Sequence, residues 1–153
     1  MRLPVLLIAL LVPAAAGAQM GQGPMSNGGA PLTMTHGVSR HAYVMQHGIP
    51  PEYAHAHNPL KANASNIADG KRLYRLHCVI CHGDTGKGSE AGLTLEPPVQ
   101  NLAGLGQKRI ASDAFYDWTL SEGGVPLRSA MPPFKNVLSQ EQIWKIILYL
   151  RRL

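Results

Sequence analysis

Residues 78–83 read CVICHG, and this stretch decides the fold because it holds both cysteines of the 153-residue chain. His82 follows Cys81 directly, so two thiols and one imidazole lie close together. Three kinds of site use such groups: a zinc centre, a disulfide, and the covalent attachment of a cofactor. The compartment of the protein and the spacing of the possible ligands distinguish these three kinds of site.

The N-terminus indicates the compartment. Residues 1–18 contain one basic residue, an apolar run over residues 3–12 and small residues that end in AGA. This pattern predicts a secretory signal peptide that is cleaved near Ala18. The run is shorter than the roughly 20 apolar residues of a membrane-spanning helix. We therefore expect a periplasmic protein with no stable membrane span.

The spacing of the motif favours haem over zinc or a disulfide. Zinc takes about four ligands, and the motif supplies three at most. A disulfide between Cys78 and Cys81 closes a very short loop and constrains the unfolded chain little. A thioredoxin-like redox pair needs a strand-helix-strand context, which the sequence lacks. The order C-x-x-C-H is the signature of c-type haem attachment, with His82 as the proximal iron ligand.

A second axial ligand is expected later in the chain. All seven histidines lie at or before residue 82, and Met131 alone of the six methionines follows it. Pro132 and Pro133 exclude a helix interior directly after Met131. An ordinary buried methionine is the alternative. A methionine in a proline-held loop, 49 residues beyond His82, favours a thioether ligand to iron.

With these residues in view, the chain resembles the class I c-type cytochromes, which carry one haem. The resemblance covers residues 65–153 and is carried by NIADGKRLYRLHCVICHGDTGKG, SAMPPF and LSQEQIWKIILYLRR. It implies an all-α cytochrome c fold of three to five helices wrapped around one covalently attached haem c. The expected cofactor-binding residues are Cys78, Cys81, His82 and Met131, and the expected iron ligands are His82 and Met131.

The hydrophobic periodicity agrees with an all-helical domain. It predicts helices near residues 66–78, 112–122 and 139–152, and no strand pattern is found. Ser112 is a predicted N-cap, and Ser139 begins a capping-box pattern. The resemblance implies that the first helix crosses closely over the last one at a glycine and an aromatic residue, which are Gly70 and Tyr74 here.

Further contacts with the haem are predicted with less sequence support. A proline carbonyl, from Pro97 or Pro98, is expected to accept the second ring N–H of His82, unless the prolines only stiffen the loop. The candidate donors to the haem propionates are Asn101, Arg109, Trp118 and Arg128. The apolar residues expected to surround the haem or fill the core beside it are Leu93, Leu95, Leu102, Leu105, Ile110, Phe115, Trp118, Phe134 and Val137.

Residues 19–64 form an N-terminal extension that is rich in glycine, proline, methionine and histidine. One interpretation is a linker followed by a segment that packs on the rest of the protein through residues 43–45 and 49–53. The other is a copper or other metal site, since five histidines and three methionines fall within 33 residues. The predicted organisation is therefore signal peptide (1–18), extension (19–64) and cytochrome c domain (65–153).

The charge and the motif together limit the function. The net charge of +5 is spread over scattered basic residues, so nothing favours nucleic acid. A mildly basic surface suits an acidic redox partner. We expect an electron carrier, or the cytochrome subunit of a redox complex, that serves a dehydrogenase, oxidase or reductase and is not itself an enzyme. The alternative is a haem enzyme or a gas or peroxide sensor, which needs an open sixth site in place of Met131.

Overall fold

The computed structural model describes residues 39–153, whose regular secondary structure is entirely helical. The predicted all-α fold is confirmed. The predicted signal peptide and the first part of the extension lie outside the described residues. No helix of the described part is long and apolar enough to cross a membrane. In chain order the α-helices are α1 (Arg40–His47), α2 (Ala64–His77), α3 (Val79–His82), α4 (Glu90–Leu93), α5 (Asp113–Glu122) and α6 (Gln140–Leu150).

The three predicted helices correspond to α2, α5 and α6, and their ends differ from the prediction by at most two residues. Both predicted caps are confirmed. The Ser112 hydroxyl accepts from the Phe115 N–H at 3.1 Å, and Ser139 forms a reciprocal capping box with Gln142. Helix α2 begins earlier than predicted because the Asn63 side chain caps it.

Helix α2 crosses α6 at Gly70, as the resemblance implies. A Cβ atom at Gly70 would lie 1.9 Å from the carbonyl oxygen of Lys145, so only glycine permits this approach of the two backbones. Tyr74 is fully buried one turn later, with its ring 5.3 Å from that of Tyr149. The crossing fixes the helix that leads into the CVICHG motif.

The segment before α2 packs on the helical core. The ring of Tyr43 lies 5.4 Å from that of Trp118, and Val44 and Ile49 contact the core cluster. The Asn58 side chain donates to the Trp144 carbonyl at 3.0 Å. The prediction that residues 43–45 and 49–53 pack on the protein is therefore confirmed for Tyr43, Val44 and Ile49, whereas Met45 is 73% exposed. Where the cytochrome c domain begins stays a prediction.

Candidate functional site

The CVICHG motif lies at the junction of two helices. Helix α2 ends at His77, and the N–H of its C-cap residue, Cys78, donates to the Tyr74 carbonyl at 2.8 Å. Helix α3 carries the next four residues. The N–H of His82 donates to the Cys78 carbonyl at 2.8 Å, which completes one helical turn. This turn directs Cys78, Cys81 and His82 toward a single cavity, whose wall includes all three.

The cavity has a volume of about 310 Å³ and a largely apolar wall. Six of the nine predicted apolar residues line it: Leu95, Leu102, Leu105, Ile110, Phe115 and Phe134. The prediction is wrong for Leu93 and Val137, which are more than half exposed because their side chains point to solvent. Trp118 does not line the cavity but is buried beneath Tyr43 and Arg40, so it fills the core beside it.

Met131 lies on the wall of the same cavity. Its carbonyl accepts from the Gly124 N–H at 2.7 Å, which anchors the loop to the end of α5. Gly123, at φ +60°, lies so close that a Cβ atom would be 2.4 Å from the Pro132 backbone. The fold thus brings Met131 to the motif across 49 residues of sequence. Of the histidines that precede the motif, His47 and His55 do not line the cavity, whereas His41 and His77 do.

His82 is held by a backbone carbonyl, but not by the predicted one. Its Nδ1 lies 3.2 Å from the oxygen of Gln100, so the prediction of Pro97 or Pro98 as acceptor is wrong. Just after the two prolines, the Val99 N–H donates to the Gly92 carbonyl at 3.1 Å and anchors the loop. This places the Gln100 carbonyl, and not a proline carbonyl, beside the His82 ring. Burial lowers the pKa of His82, which favours neutral imidazole. With Nδ1–H as donor, Nε2 keeps the lone pair that binds a metal.

The surroundings of the two cysteines favour neither a redox pair nor a zinc site. Both are free thiols, and burial, helped by the charge of Cys81, raises the pKa of Cys78 to about 12. Redox-active C-x-x-C thiols have lowered pKa values instead. Across residues 39–153, no three side chains of His, Cys, Asp or Glu come together to hold a metal ion. Part of the proposed copper set, including Met25 and His36, lies outside the described residues.

Two buried side-chain atoms of residues that line the cavity have no hydrogen-bond partner in the described part of the chain. They are Nη1 of Arg40 and the hydroxyl of Tyr116. Unpaired N–H and O–H donors suit a bound group that carries carboxylates, and haem has two of these, its propionates. None of the four predicted propionate donors lines the cavity, and their role toward the haem stays a prediction. Arg40 was missed because it lies far from the motif, in a segment without strong periodicity.

An all-helical chain in which a C-x-x-C-H motif and a distant methionine line one apolar cavity is a c-type cytochrome. The family model described as "Cytochrome C oxidase, cbb3-type, subunit III" matches residues 65–150, more than half of the chain, and the chain belongs to this family. The protein binds haem c covalently and functions in electron transfer.

This chain is similar to parts of several known proteins. A thiosulfate dehydrogenase of Stutzerimonas stutzeri (strain A1501) is 28% identical over 138 residues, 81% of this chain and 42% of its own length. This chain thus spans less than half of that relative. The KustC0563 c-type cytochrome is 28% identical, over 55% of this chain and 95% of its own, with a TM-score of 0.44. The Kuenenia stuttgartiensis reducing HAO-like protein complex Kustc0457/Kustc0458 is 22% identical, over 60% and 45%, with a TM-score of 0.49.

Proposed function

We propose that the chain is a periplasmic electron carrier, with one haem attached to Cys78 and Cys81 and with His82 and Met131 as axial ligands. One observation carries this proposal: all four side chains line a single apolar cavity, although Met131 is distant in sequence. The bound group supplies one-electron exchange between ferric and ferrous iron. The chain's own residues set its orientation, its ligands and its access to water.

His82 and Met131 have separate tasks in this proposal. The Gln100 carbonyl fixes the ring of His82 and raises its basicity as a ligand. The thioether of Met131 raises the reduction potential and fills the sixth position. A filled sixth position leaves no site on the iron for a substrate, peroxide or gas. The loop that holds Met131 therefore favours a carrier over an enzyme or a sensor.

The surface near the motif suits a redox protein as partner. Ile80, inside the motif, is 75% exposed, and Leu76 is 67% exposed beside it. A shallow groove next to them is lined in part by Arg72 and Arg75. Apolar residues flanked by cations favour an acidic surface on the partner. The names of the matched family and relative support an oxidase or a dehydrogenase in that role.

Attachment and export have direct tests. Acid-acetone extraction should leave the colour on the wild-type polypeptide, and Cys78→Ser with Cys81→Ser should abolish this retention. Colour that passes into the solvent from the wild type would show that the haem is not covalent.

The mature protein purified from the periplasm should begin at Gln19, and an N-terminal sequence that begins at Met1 would contradict cleavage near Ala18.

The sixth ligand is tested by replacing Met131 with alanine. The variant should lose the weak sulfur-to-iron band of the oxidised protein, bind added carbon monoxide when reduced, and have a lower potential. The expected change in the one-electron equilibrium is about tenfold or more, or roughly 59 mV. Met45→Ala is the matched control, since Met45 is 73% exposed on α1. A wild type that is high-spin and binds carbon monoxide would favour the enzyme or sensor instead.

A further inference from the structure

Arg40 places a partly buried cation on the cavity wall, and it lies outside the region that the family model matches. It lies in the first turn of α1, before residue 65, where the match begins. Its guanidinium carbon lies 4.2 Å above the ring of Trp118, and its Nη2 donates to the Gly123 carbonyl. Its Nη1 is buried without a hydrogen-bond partner in the described residues, and Arg40 is part of the cavity wall. Nη2 therefore has an acceptor, whereas Nη1 has none among the described residues.

Among the described residues, the charge of Arg40 also lacks a direct acidic partner. Burial lowers its pKa to about 10, and the charge of Glu122 opposes this shift. The Glu122 carboxylate, however, accepts from the Tyr53 hydroxyl and from Lys135 Nζ at 2.9 Å. No ion pair of Arg40 is found within residues 39–153. A buried guanidinium without a paired anion is costly, so this geometry calls for an anion at the cavity.

Tyr116 adds a second donor on the same wall. It is only 2% exposed, and its hydroxyl has no hydrogen-bond partner among the described residues. Burial raises its pKa, while the charge of Arg151 lowers it, so the hydroxyl stays protonated. A buried, protonated tyrosine hydroxyl without an acceptor costs free energy comparable to a lost hydrogen bond. An acceptor in the cavity would remove that cost.

We infer that Arg40 pairs with a haem propionate and that the Tyr116 hydroxyl donates to the carboxylate edge of the same haem. The segment before α2 is then part of the cofactor site and not an accessory cover. Arg40 suits the role because its planar fork of N–H groups matches a carboxylate, and such charge-assisted hydrogen bonds are strong. The inference rests on the proposed attachment at Cys78 and Cys81, which places the haem in this cavity.

A purely structural role for Arg40 predicts a different outcome. Arg40 bonds to Gly123, and Gly123 packs against the Met131 loop. If Arg40 only braced that loop, its removal would weaken the sulfur-to-iron band and leave the propionates unchanged. If it pairs with a propionate, its removal changes the propionate signal and the potential. Resonance Raman spectroscopy, which detects the propionate bending mode, separates the two roles.

The experiment compares Arg40→Gln, Arg40→Lys and the control Arg72→Gln in the full-length holoprotein. Arg72 is 67% exposed and its replacement changes the charge equally. Arg40→Gln should shift the propionate band and lower the potential by a three- to tenfold change in the one-electron equilibrium, since a cation near the haem favours the reduced form. Arg40→Lys should restore most of the potential but not the band position, because lysine lacks the fork.

Each outcome supports or overturns the inference. A propionate band that is unmoved in Arg40→Gln, with a potential change no larger than in Arg72→Gln, overturns it. If Arg40→Gln yields no holoprotein, Arg40→Lys decides, and an unmoved band again overturns the inference. Tyr116→Phe removes only a hydroxyl and should shift the band, whereas the control Tyr149→Phe, outside the cavity wall, should not. A wild type without covalent haem would instead contradict the proposed function.

Discussion

The cavity has a motif side, residues 74–83, and a methionine side, residues 123–134, and the two are held by different means. The motif side continues directly from α2, and Tyr74 closes it by donating to the Gly83 carbonyl at 2.7 Å. The methionine side is a loop, tied to the end of α5 by backbone hydrogen bonds from Gly124 and from Phe134. Helical hydrogen bonds between near neighbours fix one side, and contacts between distant residues fix the other.

Because the two sides of the cavity are held by different means, substitutions on them should have different effects on the holoprotein. The motif side combines attachment and ligation within one helical turn, so a change there affects whether the holoprotein forms at all. The methionine side contributes only the thioether of Met131, and without it the haem stays attached to the cysteines of the motif side. Changes in the loop should therefore alter the spectrum and the potential of a protein that still matures.

Replacing His82 with alanine should have the largest effect. The variant loses the proximal ligand on the motif side, and we expect little or no holoprotein. The yield of covalent haem per polypeptide, measured from the absorbance of the reduced protein, checks this. His55→Ala is the matched control because His55 is exposed and lies outside the cavity wall. A normal haem yield with an unchanged spectrum in His82→Ala would show that another residue ligates the iron.

The same comparison explains which features could be predicted from sequence. Cys78, Cys81 and His82 are adjacent, so their chemistry follows from spacing alone. The α2–α6 crossing follows from Gly70 in its family context. The Gln100 carbonyl could not be predicted, because any backbone carbonyl can accept and its position depends on how a turn-rich loop is anchored. Arg40 could not be predicted either, because its role depends on a fold in which α1 reaches the end of α5.

Gly70→Ala should be the next most damaging change, and it acts through the support of the motif side. The added Cβ would meet the Lys145 carbonyl oxygen, which is backbone and cannot move without separating α2 from α6. We expect a loss of about 3 kcal/mol or more in the free energy of unfolding, at or beyond the upper end of overpacking costs. Denaturant unfolding of the holoprotein measures this loss. Ala68→Ser, at an exposed position of the same helix, should change little, and equal stability of both variants would contradict the close crossing.

Gly123→Ala applies a similar change to the methionine side. Its Cβ would lie 2.4 Å from the Pro132 backbone, and its φ of +60° disfavours any residue with a side chain. A loop can shift where a helix crossing cannot, so we expect a normal haem yield with partial loss of Met131 ligation. The oxidised spectrum should show a weaker sulfur-to-iron band and a high-spin fraction. Ser129→Ala, in the same loop, is the comparison, and an intact band in Gly123→Ala would show that Gly123 does not position Met131.

The smallest effect is expected at Asp113, which belongs to neither side of the cavity. Its carboxylate accepts from the Asn58 N–H at 2.9 Å and from Arg151 Nη2 at 2.7 Å, and so ties the segment before α2 to the C-terminus of α6. Burial raises the pKa of Asp113, but these two donors lower it more, and the net shift is downward. A lowered pKa in the folded state stabilises the protein at pH above the unfolded value, about 3.9, and this contribution is lost as pH falls through the folded value.

Asp113→Asn should therefore lower the free energy of unfolding by about 1 kcal/mol at neutral pH, since a partly exposed charged hydrogen bond contributes less than a buried one. The difference from wild type should disappear in acid, where the wild-type carboxyl is also protonated. Parallel denaturant unfolding at neutral pH and at a pH below the folded-state pKa of Asp113 measures both. Asp84→Asn, at a side chain 71% exposed, is the control. Because Asp113 lies outside the cavity wall, the spectrum and the potential should stay unchanged. A difference that persists in acid would show that the asparagine acts through packing and not through the lost charge.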